Sequence, residues 1–225
     1  MKGLLITFEG SEGCGKSTQV TLLAERLRKK GHLVRLTREP GGTPVGEEIR
    51  HTLKHSQANA AMTCEAELLL MNASRAQLVR EFIRPALARG EIVLCDRFYD
   101  STTAYQGHGR QINLAAVQRI VDFAVGDTRP DLTLLFTVSA DVSAQRLRSR
   151  QATLPFVRDR IEEGDRAFFE RVAHGYELIA IAEPQRIRKV DGAGSVESVQ
   201  ATVWRLMEER FPAISGPPWS PAPLR

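Results

Sequence analysis

One eight-residue stretch decides the fold class: Gly10-Ser11-Glu12-Gly13-Cys14-Gly15-Lys16-Ser17. It matches the pattern G-x-x-x-x-G-K-S/T of phosphate-binding loops. The residues before it, 4–8, form a short apolar run, and residues 18–30 after it carry apolar side chains at helical spacing. The pattern requires a strand, a glycine loop and a helix in this order, so we expect the loop to bind a chain of phosphates.

The residue types of this loop indicate how it binds ATP. Glycines let consecutive N–H groups point inward, and the following helix adds its positive end. Lys16 is expected to reach the β- and γ-phosphate oxygens, and the Ser17 hydroxyl to hold Mg²⁺. We interpret Cys14 as a small space-filling side chain rather than a reactive thiol. The predicted ATP contacts here are Gly10, Ser11, Glu12, Gly13, Cys14, Gly15, Lys16, Ser17 and Thr18.

The rest of the chain alternates between strand and helix patterns. Further strands are predicted at residues 32–37, 92–95, 132–138 and 187–190, and helices at 45–53, 64–89, 113–125, 139–148, 165–182 and 195–211, with a kink at Pro85. The pattern predicts an α/β fold with a five-stranded parallel sheet flanked by helices, of the P-loop NTPase type. We assign residues 1–212 to this domain, with a short lid at about 148–164, and residues 213–225 to a proline-rich tail.

Composition narrows the function classes. The chain has 225 residues, 42% of them apolar, and a net charge of +4, with acidic residues interleaved among the basic ones. A small anionic ligand explains this charge better than a nucleic acid does. Three cysteines without a C-x-x-C pair and five histidines without metal-ligand spacing indicate neither a disulfide framework nor a zinc site. The apolar start is too short for a signal peptide or membrane span, so we expect a cytoplasmic protein that binds neither membrane nor nucleic acid.

A second carboxylate and several arginines separate the classes of P-loop protein. Asp96 ends the apolar run 92–95, where it would complete the Mg²⁺ site together with Ser17. A GTPase would need an N-K-x-D segment, and the chain has no Asn-Lys dipeptide. A P-loop motor or recombination ATPase stays open, although no nucleic-acid module is evident. Arginines after the predicted strands favour a kinase with a small anionic acceptor: Arg38, Arg97, Arg148, Arg150, Arg158 and Arg160.

Further motifs make residues 8–211 resemble the bacterial thymidylate kinase family. They are the phosphate loop, Thr37-Arg38-Glu39-Pro40-Gly41-Gly42-Thr43, Ser74-Arg75-Ala76-Gln77, Asp96-Arg97, Ser101-Thr102-Thr103-Ala104-Tyr105-Gln106-Gly107 and Asp159-Arg160-Ile161-Glu162. The resemblance implies phosphoryl transfer from ATP to dTMP, which gives ADP and dTDP for dTTP synthesis. It also implies a homodimer formed through helices.

The resemblance implies a role for each residue of the acceptor site. Arg97 would hold the acceptor phosphate, Arg75 would bond to the thymine edge, and Glu12 would face the sugar 3′-hydroxyl or its bound metal. Guanidinium groups suit both phosphate and carbonyl oxygens. The implied substrate contacts are Glu39, Pro40, Arg50, Met71, Arg75, Arg97, Thr102, Tyr105 and Gln106.

Three of these positions bear on specificity. Tyr105 is expected to lie against the deoxyribose and leave no room for a 2′-hydroxyl, and the Thr102 hydroxyl to reach the base. Met71 stands where the family commonly has Phe, one helical turn from Arg75. Because a thioether is more adaptable than a ring, we expect dTMP to remain preferred with looser base discrimination.

Catalysis is expected to rest on alignment and charge neutralisation, because the acceptor phosphate is already ionised near neutral pH. No basic residue occurs at positions 11–14, so the chain resembles the family branch whose lid supplies the catalytic arginine. Arg150 and Arg158 are both candidates, and Arg160 is expected on the adenine or phosphate side of ATP. The predicted catalytic residues are Glu12, Lys16, Arg97, Arg150 and Arg158.

Two alternatives remain open at this point. One is another monophosphate or small-molecule kinase on the same fold, although the run from Ser101 to Gly107 argues against it. The other is a nucleotide-switched binding or assembly protein, which would bind ATP without needing a second site.

Overall fold

The computed structural model describes residues 3–153, 160–161 and 164–216, and its strands form one sheet. Within these residues the five strands are β1 Leu4–Gly10, β2 Val34–Arg38, β3 Ile92–Asp96, β4 Leu132–Thr137 and β5 Ile187–Asp191. All neighbouring strands are parallel, in the order β2-β3-β1-β4-β5. The predicted five-stranded parallel sheet is therefore confirmed.

Helices cover both faces of this sheet. They are α1 Lys16–Lys29, α2 Pro44–Lys54, α3 Cys64–Leu78, α4 Arg84–Ala88, α5 Tyr99–Thr102, α6 Leu114–Val125, α7 Ala140–Thr153, α8 Arg166–Ala182 and α9 Val196–Arg210. The chain runs from β1 to β2 and β3 on one side and then to β4 and β5 on the other. This reversal opens a crevice at the carboxyl end of β1, where α/β folds bind their ligands.

Alternate residues of the strands enter separate cores. Phe8, Leu23 and Trp204 belong to the core between the sheet and helices α1 and α9. On the opposite face Val93 packs in a core with residues of α3 and α6. Because both faces are covered, the three central strands β1, β3 and β4 are buried almost throughout, as is typical of parallel sheets, whereas the edge strands β2 and β5 carry exposed polar residues.

The helical region before β3 differs from the single kinked helix that we predicted over residues 64–89. Helix α3 ends at Leu78, a π-helical turn follows at Val79–Ile83, and α4 then begins. Pro85 is the physical reason for the break, because it has no N–H and its ring crowds the carbonyl four residues earlier. The helix widens into the π-helical turn just before this proline.

Two further segments depart from the sequence prediction. Helix α7 continues to Thr153 rather than ending near residue 148, so the first part of the predicted lid is helical. Residues 99–109, for which no element was predicted, form α5 and a π-helical turn at Thr103–Gly109. Their small and polar side chains carry no apolar period, although much of the turn is buried.

The C-terminal region is packed beyond the predicted domain end. A 3₁₀ turn at Pro212–Ser215 inserts Ile214 into the core of α1 and α9, and the His32 ring lies 2.9 Å from the Ile214 carbonyl oxygen. Residues 217–225 of the predicted tail lie outside the described residues. In the part of the chain that is described, no helix is long and apolar enough to cross a membrane.

Candidate active site

The glycine loop takes the shape that its sequence predicts. Gly10, Gly13 and Gly15 have positive φ angles of 133°, 70° and 94°, which side chains strongly disfavour. The Lys16 ammonium is buried and donates to the carbonyl oxygens of Gly10 at 3.0 Å and Ser11 at 2.7 Å. Neutral carbonyls hold the ammonium at the loop, and phosphate oxygens are stronger partners for it.

The predicted metal ligands lie together at the start of α1. The Ser17 hydroxyl donates to Oδ2 of Asp96 at 2.7 Å, which joins the loop to the carboxyl end of β3. Ser17 is exposed and Asp96 is half-buried, so both oxygens are open to the crevice. A hydroxyl and a carboxylate side by side form a donor set that suits Mg²⁺.

Cys14 and Thr18 complete the predicted loop contacts. The Cys14 thiol is buried, and its sulfur lies 3.4 Å from Nζ of Lys16. Its surroundings fit a small packed side chain under the loop. Thr18 is exposed in the first turn of α1.

Glu12 and Arg97 form an ion pair at the mouth of the crevice. Oε1 of Glu12 lies 2.6 Å from Nη2 of Arg97, and both side chains are largely buried. Burial alone would raise the pKa of Glu12, but the charges of Arg97, Lys16 and Lys54 outweigh it and hold this pKa at about 2. Glu12 is therefore ionised at any physiological pH.

Arg97 adopts a backbone conformation that directs its side chain toward the loop. Its φ angle is 72°, in the left-handed region that residues other than glycine rarely enter. The backbone N–H donates to Phe8 at 2.9 Å, and Nη1 donates to the Gly10 carbonyl at 3.0 Å. Nη2 also lies 3.3 Å from the hydroxyl of Tyr105.

Sequence reasoning missed Glu9, the fully buried carboxylate at the end of β1. It accepts hydrogen bonds from the Phe98 N–H at 2.7 Å and from the hydroxyls of Ser101 at 2.6 Å and Tyr176 at 3.0 Å. Burial and the charge of Asp100 raise the pKa of Glu9 to about 7, against the opposing influence of Arg97. Its position after an apolar strand resembled an ordinary strand end, so the pattern carried no functional signal.

Arg75 lies in a buried polar cluster. Nε donates to Oε2 of Glu39 at 2.8 Å, and Nη2 lies 2.6 Å from the same oxygen. Nη1 donates to Asn72 and Thr102, and Nη2 lies 3.3 Å from the Phe98 carbonyl, so every guanidinium nitrogen has a protein partner. The hydroxyl of Thr102 is buried and accepts a hydrogen bond from Arg75, which leaves its own proton for the base contact that the sequence predicts.

Glu39 is incompletely satisfied in this cluster. Its Oε1 is buried and has no hydrogen-bond partner among the described residues. Burial raises the pKa of Glu39, and the charge of Arg75 offsets only part of this effect. An unpaired buried acceptor of this kind costs free energy until a ligand or water satisfies it.

The other predicted acceptor contacts surround this cluster. Met71 and Tyr105 are buried in one apolar core together with Ile161, and burial raises the pKa of Tyr105. Arg50 donates to the carbonyl of Pro40 at 2.9 Å, which holds the turn after β2 against α2. The apolar and polar contacts thus come from four separate parts of the chain.

Arg160 is placed differently from the prediction. Its guanidinium is bonded to Glu67 and to the Met62 carbonyl, and its N–H donates to Lys54. Glu67 also accepts from Gln106 at 2.7 Å. The structure thus places Arg160 on the buried carboxylate of Glu67, and its expected contact with ATP stays a prediction.

A different arginine reaches the phosphate loop. Nη1 of Arg146, on α7, donates to the carbonyls of Gly13 at 3.3 Å and Gly192 at 2.9 Å. The sequence analysis did not single out Arg146, which lies within the predicted helix 139–148, two residues before Arg148. The side chain of Arg150 and the whole of Arg158 lie outside the described residues.

Comparisons with known proteins agree on one family. The model of the family described as thymidylate kinase matches residues 8–203. The chain is 48% identical over 209 residues to a thymidylate kinase of Alcanivorax borkumensis, covering 93% of this chain and 98% of the relative. A thymidylate kinase of Pseudomonas syringae pv. tomato is also 48% identical, with 93% and 97% covered. A crystal structure of thymidylate kinase from Ehrlichia chaffeensis matches with a TM-score of 0.73 at 32% identity, over 92% of this chain and 99% of that one.

Proposed function

We infer the function from the family to which the chain belongs, the thymidylate kinases: it is an enzyme that transfers a phosphoryl group from ATP to dTMP and so forms ADP and dTDP. Nucleoside monophosphate kinases bring two negatively charged ligands together, so the two phosphate sites must be adjacent. The proposals below assign residues to these two sites.

The observation that carries the assignment is the shared carbonyl of Gly10. Nζ of Lys16 and Nη1 of Arg97 each donate to this oxygen at 3.0 Å, so the two cations are no farther apart than two hydrogen bonds. We assign Lys16 to the donor phosphates and Arg97 to the acceptor phosphate. This spacing lets the two phosphates meet while both cations neutralise charge.

We propose that Ser17 and Asp96 hold Mg²⁺ together with ATP. Their oxygens lie 2.7 Å apart in the crevice, and this donor set fits the ion. When bound, Mg²⁺ supplies charge neutralisation at the donor phosphates. Lys16 and the inward N–H groups of the loop orient the same phosphates without it.

Glu12 is proposed to hold Arg97 ready until the acceptor arrives. The phosphate of dTMP would take the place of the Glu12 carboxylate on Nη2 of Arg97. The low pKa of Glu12, about 2, belongs to the state paired with Arg97. After displacement, Glu12 would face the 3′-hydroxyl side of the acceptor sugar. Glu12 acts here through charge and position, because the ionised acceptor needs no strong base.

The base of dTMP is proposed to bind beside Met71, Tyr105 and Arg75. The unpaired Oε1 of Glu39 supports a ligand contact there. Thr102 is assigned to orienting Arg75 and to the base, through the hydroxyl proton that its bond to Arg75 leaves available. The remaining proposed contacts are Pro40 in the turn after β2, Arg50 on α2 and Gln106 in the turn Thr103–Gly109.

The acceptor preference tests this function directly. ADP release should be measured with dTMP, dUMP, dCMP, dGMP, UMP and AMP. We expect dTMP to be fastest, with UMP slowed by the steric limit at Tyr105. Turnover independent of the acceptor would indicate a nucleotide switch instead, and faster turnover of dUMP or dCMP would overturn the expected preference at Met71.

The catalytic arginine of the lid remains a proposal. We expect alanine at Arg150 or Arg158 to lower turnover, because no arginine lies at positions 11–14 of the phosphate loop. Arg119→Ala, at an exposed position on α6, is the matched control. Full turnover in the alanine variants of Arg150, Arg158 and Arg160 would rule out the lid-arginine proposal.

We also propose that the chain forms a homodimer and is located in the cytoplasm. Leu69 on α3 and Phe123 on α6 are exposed on neighbouring helices, Phe123 by 83%, and such an apolar pair supports association through this face. Sedimentation of Phe123→Arg should show monomers, with Ile181→Arg on α8 as the control. The use of ATP and dTMP and the three free cysteines support a cytoplasmic location, with no proposed nucleic-acid or membrane partner.

A further inference from the structure

Glu9 lies one layer of hydrogen bonds away from Arg97. Its Oε2 accepts from the hydroxyls of Ser101 and Tyr176, and these two oxygens in turn accept from Nη1 of Arg97 at 3.1 and 3.2 Å. Its Oε1 accepts from the N–H of Phe98, the residue after Arg97. Glu9 therefore contacts both the backbone beside Arg97 and the partners of its side chain.

The chemistry of a carboxylate sets the direction of these bonds. An ionised carboxylate can only accept, whereas a hydroxyl has a single proton and can also accept. With their protons turned toward Glu9 or toward each other, the hydroxyls of Ser101 and Tyr176 present lone pairs to the guanidinium. A donor at position 9 would reverse this direction and oppose the N–H groups of Arg97.

We propose that Glu9 is a positioning residue that holds Arg97 in place, through Ser101 and Tyr176, when the acceptor phosphate displaces Glu12. The inference rests on the proposed role of Arg97 at that phosphate. Once Nη2 leaves Glu12, three bonds of Nη1, to Gly10, Ser101 and Tyr176, remain to keep the guanidinium at the loop, besides the longer contact with the Tyr105 hydroxyl. Glu9 itself touches neither nucleotide in this account.

The test compares dTMP with thymidine, which lacks the phosphate. At pH 8, above the pKa of about 7 for Glu9, Glu9→Gln keeps the side-chain shape and introduces a donor. We expect the KM for dTMP to rise about 10-fold, because a network of charge-assisted bonds is disturbed. The KM for ATP and the inhibition constant of thymidine should stay within about twofold of wild type.

Three further variants make the test specific. Glu91→Gln repeats the change at a buried carboxylate at the other end of the sheet, where Arg35 and Arg89 are its partners, and should leave the KM for dTMP unchanged. Tyr176→Phe removes one hydroxyl but keeps the carboxylate, and should raise the KM for dTMP less than Glu9→Gln does. This variant gives an answer even if Glu9→Gln folds poorly. Arg97→Met tests the underlying assignment.

The outcomes distinguish the inference about Glu9 from the proposed role of Arg97. A rise in the KM for dTMP alone, in both Glu9→Gln and Tyr176→Phe, supports the inference. A wild-type KM in both, with weak dTMP use by Arg97→Met, rejects it and leaves the role of Arg97 standing. Equal loss of dTMP and thymidine would mean general damage to the site and also rejects it. An unchanged KM in Arg97→Met would remove the proposed function of Arg97 itself.

Discussion

The donor end and the acceptor end of the site are built in opposite ways. The proposed donor end is residues 10–17 with Asp96, and it consists mainly of backbone from one continuous stretch. The proposed acceptor end is built around Arg75 and Glu67, whose partners come from the turn after β2, from α3, from α5, from Thr103–Gly109 and from Arg160. The donor end should therefore keep its folding stability when a functional side chain is removed. At the acceptor end the functional side chains also stabilise the fold, so their removal should lower its stability.

The largest effect is expected at the donor end, from Lys16→Met. Removal of the cation that neutralises the transferred group should lower turnover by about 10³-fold. Stability should change by less than about 1 kcal/mol, because the Gly10 carbonyl keeps its bond from Arg97 and the Ser11 carbonyl, in a half-exposed residue, can bond to water. Steady-state kinetics and urea unfolding measure the two quantities, and a variant that loses both together would contradict the comparison.

The acceptor end should respond in stability first. Arg75→Met leaves the buried carboxylate of Glu39 without its partner, and breaking a buried ion pair of this kind costs about 3–5 kcal/mol in the free energy of unfolding. Glu39→Gln combined with Arg75→Met removes both charges and should recover part of that loss. Urea unfolding of the single and double variants measures this coupling.

Two results would contradict this difference between the two ends. If Arg75→Met were as stable as wild type and lost only activity, Arg75 would serve ligand binding without stabilising the fold, as is expected for Lys16. If the double variant were less stable than Arg75→Met, the unpaired charge of Glu39 would not be the source of the loss.

The same difference explains what the sequence could predict. The donor end was predictable because the spacing of Gly10, Lys16 and Ser17 and the apolar strands around them are local patterns. The order of the strands follows from general rules for such sheets, and Asp96 was found as the carboxylate at the end of one of them.

The acceptor end depends on pairings between distant residues, which no local pattern encodes. Arg160 was expected near ATP, yet Glu67, 93 positions earlier, holds it. Thr102 was predicted from the sequence as a base contact, but its hydrogen bond with Arg75, 27 positions earlier, was not. Glu9 was overlooked because a carboxylate that ends a strand is normally solvated, and only the structure shows that it is buried.

The smallest expected effect concerns the boundary between the two ends, where Glu9 lies. Its pKa is raised from 4.5 to about 7, so between these pH values the folded chain binds a proton that the unfolded chain releases. The free energy of unfolding should therefore decrease as pH rises through this window. Glu9→Gln lacks this titration, so from pH 5 to pH 8 it should gain on the order of 2–3 kcal/mol relative to wild type.

Urea unfolding of both proteins at pH 5, 6, 7 and 8 checks the sign. Glu91→Gln serves again as the control, because arginine hydrogen bonds lower the pKa of Glu91 to about 2, so its titration lies below this range. A gap between Glu9→Gln and wild type that stays constant with pH would show that Glu9 titrates in its ordinary range.

The central claim is that Lys16 holds the donor and Arg97 the acceptor across one carbonyl, that of Gly10. Calorimetric titration of Lys16→Met and Arg97→Met with dTMP and with a non-hydrolysable ATP analogue tests it most directly. We expect a crossed pattern, in which Lys16→Met weakens binding of the analogue and keeps that of dTMP, while Arg97→Met does the reverse. If both variants weakened both ligands equally, or if Arg97→Met bound dTMP like wild type, the division of the site between the two cations would be contradicted.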